Sequence, residues 1–123
     1  MADYGKEVII DLYNCNPRTF TRKSIRNYFK ELCNLINMER EKLYWWDDFG
    51  VSPEEQQTSP KTKGTTAVQF MLTSNITIHT LVLLKRVYLN IFACKKFDDS
   101  KAAEFSMKWF EGEIVNTKVV RRL

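Results

Sequence analysis

Apolar residues alternate with polar ones over several short stretches of the chain and recur at helical spacing in two others. Glu7-Val8-Ile9-Ile10-Asp11-Leu12-Tyr13 is rich in β-branched residues and runs into Asn14-Cys15-Asn16-Pro17, the composition of a strand followed by a turn. Ile25, Tyr28, Phe29, Leu32 and Ile36 then fall on one face at helical spacing, with Thr19 or Thr21 as the N-cap. Lys42 to Trp46 reads as a second strand. Asp47 to Gly64 changes character: Pro53, Pro60, Gly50 and polar side chains predict a long loop, a flexible excursion or a lid. Strand patterns return at Thr65–Leu72, Asn75–Thr80 and Val87–Cys94. Asp98-Asp99-Ser100 supply the cap and acidic first turn of a helix reaching about Phe110, Gly112 stops it, and Glu113–Val120 forms a last strand.

The order β-α-β, loop, β-β-β-α-β, without internal repeats, predicts one domain over residues 1–123. Its class is α+β: a two-layer sandwich with a mostly antiparallel sheet and two helices on one face. Composition agrees, with 44% hydrophobic and 28% charged residues. The net charge of +4 is spread along the chain with no run of five like charges, so no nucleic-acid partner is expected. No apolar stretch approaches a membrane span, so no membrane partner is expected either. Cys15, Cys33 and Cys94 are odd in number and widely spaced, which argues for free thiols in a reducing compartment. With one histidine, His79, and no C-x-x-C spacing, a structural zinc site has too few ligands, and no metal is expected. The first residues, with Asp3 and Lys6, carry no apolar leader, so the expected location is cytoplasmic.

Phosphate-binding glycine loops and the G-x-S-x-G nucleophile elbow are missing. The acid pairs Asp47-Asp48 and Glu54-Glu55 lie in or beside the polar loop, where solvation is their ordinary role. The informative stretch is Leu72-Thr73-Ser74-Asn75-Ile76-Thr77-Ile78-His79-Thr80, followed by Ile91-Phe92-Ala93-Cys94. A hairpin centred near Leu84 sets Ser74 opposite Cys94 and His79 opposite Leu89, bringing a hydroxyl to a thiol. The plain alternative is a half-buried strand with a satisfied histidine and a core cysteine. Trp45, Trp46, Trp109 and Phe110 read as core or interface, with stacking against a base as an alternative for Trp45 or Trp46.

Ser74, Ile78, His79 and Thr80, with Phe92 and Cys94 at the end of the next strand and Gly5, Asp11, Leu12, Tyr13 and Cys15 at the start, match a pattern in register. That pattern resembles the small, bacterial-type S-adenosylmethionine decarboxylase family, a pyruvoyl-dependent group, over nearly the whole chain. The resemblance implies a self-processing decarboxylase of polyamine (spermidine) biosynthesis. Cleavage would fall between Thr73 and Ser74, giving a β chain of residues 1–73 and an α chain of residues 74–123. The cofactor would be a pyruvoyl group derived from Ser74, which condenses with a small-molecule amine substrate and draws in the electrons released with carbon dioxide. By family position His79 serves processing and Cys94 is the catalytic acid. Thr66 lies near the family's substrate-side serine, and Leu83 stands where the family has a substrate-holding glutamate. A homodimer with active sites near the subunit interface is implied as well.

Two departures matter. Thr73 replaces a glutamate, and Leu83 removes a carboxylate in the apolar run Leu81-Val82-Leu83-Leu84, which fits a reshaped pocket or a dimer contact equally. Two alternatives follow: the same chemistry on arginine or ornithine, or a non-processing relative that acts by association. In a regular strand Ser74 and His79 point to opposite faces, so a shared site requires a bend or bulge near Thr73–Asn75.

Overall fold

The computed structural model describes residues 3–123. Strand β1 (Gly5–Tyr13) leads through a short 3-10 turn at Pro17–Phe20 into helix α1 (Arg22–Leu35). Next come β2 (Arg40–Trp46), β3 (Gly64–Met71), β4 (Ser74–Leu81), β5 (Arg86–Ala93), helix α2 (Asp99–Phe110) and β6 (Glu113–Arg122). The strands form one six-stranded sheet of order β2-β3-β4-β5-β1-β6 in which every pair is antiparallel.

Caps and periodicity account for these elements. The Thr21 hydroxyl accepts from Ser24 N at 3.1 Å to open α1, and the Asp98 carboxylate accepts from Lys101 N at 3.0 Å to open α2. Gly112 acts otherwise than predicted. The left-handed residue ending α2 is Glu111, at φ 54°, while a Cβ on Gly112 would stand 2.5 Å from the Cys15 sulfur. Glycine is required there by close approach and not by helix termination.

The core lies between one face of the sheet and both helices. Val8, Ile10, Leu12, Ile76, Ile78, Val87, Leu89 and Ile91 meet Ile25, Tyr28, Phe29 and Leu32 of α1 and Ala102 and Phe110 of α2 in one buried cluster. The other sheet face stays open, and it is amphipathic: Val68, Phe70, Tyr88 and Phe92 share it with Thr77, His79 and Asn90.

The β4–β5 register differs by one residue from the expected one. His79 pairs with Tyr88 and Ile78 with Leu89, because the turn at 82–85 closes with Lys85 in the left-handed region at φ 54°. Opposed residues share a face, so pairing His79 with buried Leu89 would put one side chain of the pair on the wrong face. The long loop also departs from a free excursion. Arg22 grips Asp47 through two hydrogen bonds of 2.7 and 2.8 Å and lies against the Trp45 and Phe49 rings, while Lys63 Nζ meets Asp48 at 2.9 Å. Pinning at both ends shortens the effective free span.

Inside the helical layer the Tyr28 hydroxyl lies 2.7 Å from Ser106 Oγ, whose own proton goes to Ala102 O. Tyr28 is therefore the donor. Ser106→Ala orphans a buried phenol and lowers stability by about 1–3 kcal/mol, more than the ~1 kcal/mol for Tyr28→Phe. Urea unfolding of both single variants and the double variant tests that order.

Candidate active site

The site grows from the tight link between β3 and β4. Met71 pairs with Ser74, so Leu72 and Thr73 alone make the reversal. Thr73 is left-handed at φ 50°, a conformation that glycine or asparagine adopts easily and a β-branched residue resists. The expected break near Thr73–Asn75 is thus this turn, and it lies before Ser74. From Ser74 to Leu81 the strand is regular and its burial alternates without interruption.

That regularity separates the predicted residues into two groups. Ser74 is buried beneath the helical layer, at 4% exposure, beside the end of β5. Its Oγ accepts from Cys94 N at 3.2 Å and donates toward Cys94 Sγ at 3.7 Å, while Thr73 Oγ1 lies 3.0 Å from the same sulfur. The hydroxyl and thiol meet as expected, although the register is shifted. The Thr73 and then the Ser74 hydroxyl hold the Cys94 thiol below its ordinary range, whereas burial pushes Cys15 and Cys33 up to about 11. Cys94 is the one activated thiol of the three.

His79 and Thr66 form the second group, on the open face. Thr66 Oγ1 lies 3.0 Å from His79 Nδ1 across the β3–β4 ladder, at the edge of a cleft of about 320 Å³ that Trp46 and Tyr88 help to line. His79 is five residues along β4 from Ser74, about 17 Å on strand geometry, and on the other face. Leu83 is farther still, 56% exposed in the turn at the opposite end of β4. Within one chain, neither His79 nor Leu83 meets Ser74.

Cys94 opens onto a cleft of about 400 Å³ lined also by Tyr4, Lys6, Lys95, Lys96 and Arg121, with the carboxylate of Asp3 among these cations. The sequence pattern does not mark these residues as a site, and it places Thr73 at the cleavage point without showing that its hydroxyl reaches the Cys94 sulfur. The cleft assembles where the ends of β1, β5 and β6 meet, a juxtaposition of distant segments that no local pattern encodes. The one available signal for Thr73 was its place beside the serine. No cluster of three potential metal ligands occurs among the described residues.

A six-stranded antiparallel sheet backed by two helices, with a serine and an activated cysteine joined at a strained hairpin, defines a two-layer α+β scaffold built around a Ser–Cys pair. The family model for S-adenosylmethionine decarboxylase matches residues 6–123, and the chain belongs to that family. The crystal structure of the adenosylmethionine decarboxylase from Aquifex aeolicus has the same fold, with a TM-score of 0.76 over 99% of this chain and 92% of that one, at 17% identity. No curated protein matches the sequence.

Burial holds the His79 imidazole below its ordinary value of 6.5. The unfolded chain therefore binds the proton more readily, and this contribution to stability is lost as pH falls through about 6.5 toward the folded value. His79→Gln flattens the urea midpoint between about pH 5 and 7. An unaltered slope in that window would show that His79 is not the titrating group.

Proposed function

We propose that the chain is a pyruvoyl-dependent decarboxylase that makes its prosthetic group from Ser74, cutting itself between Thr73 and Ser74. The observation that carries this reading is the Thr73–Ser74–Cys94 cluster: a serine hydroxyl held at the end of a strand, directly after a residue in a costly backbone conformation. A left-handed β-branched residue stores about 1–3 kcal/mol, which opening the turn releases. The residues fit the group, because the converted residue 74 would keep its backbone neighbours at the mouth of β4 with Cys94 as its polar companion.

In cleavage, Ser74 Oγ attacks the Thr73 carbonyl and the amide becomes an ester. Loss of the Ser74 Cα proton then expels Thr73 as a carboxylate and leaves dehydroalanine, which takes up water and releases ammonia. The group so formed supplies an electron sink for decarboxylation of an amine-bearing substrate. Cys94 holds the proton that the decarboxylated carbon takes up. The cationic rim of its cleft attracts a substrate carboxylate before carbon dioxide leaves.

Because Ser74 and His79 face opposite ways, a part for His79 in cleavage requires residue 74 to turn out at the strand end, toward a His79 supplied by a second copy of the chain. The half-apolar open face of the sheet supports a homodimer packed through it. The substrate is S-adenosylmethionine, or another amine such as arginine or ornithine; Leu83, an alkyl group in the family's glutamate position, favours testing all three. The product then enters polyamine synthesis.

Release of labelled carbon dioxide from each carboxyl-labelled amine tests this reading. Wild-type protein decarboxylates one of the three, Ser74→Ala none, and Cys94→Ala remains cut but slows by about 100-fold or more. Silence of the wild type on all three would favour the relative that acts by association. Co-expressed Ser74→Ala and His79→Ala chains should also yield cut His79→Ala chain. Its absence would remove His79 from processing.

A further inference from the structure

Cys94 faces a change of surroundings that no other side chain undergoes when the chain is cut. In the uncut chain two hydroxyls reach its sulfur, Thr73 Oγ1 at 3.0 Å and Ser74 Oγ at 3.7 Å. Thr73 has one hydroxyl proton and a second acceptor, Leu72 O at 2.8 Å, but Leu72 is 74% exposed and water can satisfy its carbonyl. Both hydroxyls are thus able to donate to a thiolate, which accepts more strongly than a thiol.

Resting on the cleavage proposed above, we infer that the cut itself converts Cys94 from a thiol poised to lose its proton into one that keeps it. Two changes act in the same direction. The Ser74 hydroxyl disappears: its Cβ becomes a methyl group, and the keto oxygen that takes the place of the residue 74 nitrogen has no proton to donate. The Thr73 carbonyl becomes an α-carboxylate, ionised above about pH 4. In the uncut geometry that carbon lies within about 5 Å of the sulfur, on the residue whose hydroxyl touches it, and pairing of β3 up to Met71 tethers it nearby.

The cut also leaves no ammonium beside the new charge. Ordinary hydrolysis of a peptide bond leaves an ammonium beside the carboxylate, but this route discharges the nitrogen of residue 74 as ammonia. A nearby anion disfavours the thiolate. In the uncut chain most of the other charged groups around the cleft are already engaged. Lys6 is paired with Asp99, Arg121 with Asp3, and Lys95 Nζ donates to Asn37 O, while Lys96 lines the rim.

The functional sense is direct: a general acid must hold its proton until the substrate carbon needs it, and a thiolate cannot serve. Thr73 acts as the positioning residue, through its hydroxyl before the cut and its carboxylate after.

The test is the pH profile of iodoacetamide alkylation at Cys94, read by peptide mass. Cys15 and Cys33 are buried and do not compete. Uncut Ser74→Ala chain, which already lacks the serine hydroxyl, is compared with cut wild-type chain, whose state is established beforehand by denatured mass, so the difference reads the new carboxylate alone. We expect the alkylation midpoint to lie about one pH unit or more higher in the cut form. Thr73→Val in the uncut Ser74→Ala background should raise the midpoint toward the cut value, because only the hydroxyl is lost. An equal or lower midpoint in the cut chain overturns the inference and leaves the cleavage reading standing. A wild-type chain that never cuts is seen in the mass before any alkylation, and it overturns both.

Discussion

A threonine held at φ 50° in a two-residue turn is the constraint on which the rest of the site depends. Because β3 and β4 pair up to Met71 and Ser74, nothing remains in the turn to absorb the reversal except Leu72 and Thr73. A longer link would let Ser74 drift from the end of β5. As built, the turn places both hydroxyls of Thr73 and Ser74 against the Cys94 sulfur, and the ladder on either side holds them there. The strain is affordable because it is confined to one residue at the end of a fully paired hairpin.

The sheet imposes the second constraint. Alternation along β4 sends Ser74 into the helical layer and His79 to the open face, and no bulge within the strand reconciles them. One chain therefore carries two separate clusters: Thr73, Ser74 and Cys94 at the strand ends, and the Thr66–His79 pair on a face with Phe70, Tyr88 and Phe92.

Much of this was legible in the residues. The β-branched alternation at Val8, Ile10 and Leu12, the stripe from Ile25 to Ile36 and the caps Thr21 and Asp98 are local signals, and each element lies where its pattern puts it. The meeting of Ser74 with Cys94 was readable because hairpin pairing is arithmetic. What could not be read was conformation without a compositional mark. Lys85 and Thr73 both adopt left-handed backbone that sequence signals reserve for glycine or asparagine, so the register came out one residue off. The break expected near Thr73–Asn75 is the turn at Thr73, but it precedes Ser74 and so does not bring Ser74 and His79 to one face. The cation-lined cleft depended on strands distant in sequence, and only the assembled sheet reveals it.

The central claim is that this turn is a bond made to be broken, and the denatured mass of freshly purified protein tests it most directly. The account predicts two fragments, residues 1–73 and residues 74–123, the second with a keto-blocked terminus. Their masses together should differ from the intact chain by one water gained and one ammonia lost. A single intact chain of 123 residues that persists after days of incubation would contradict it.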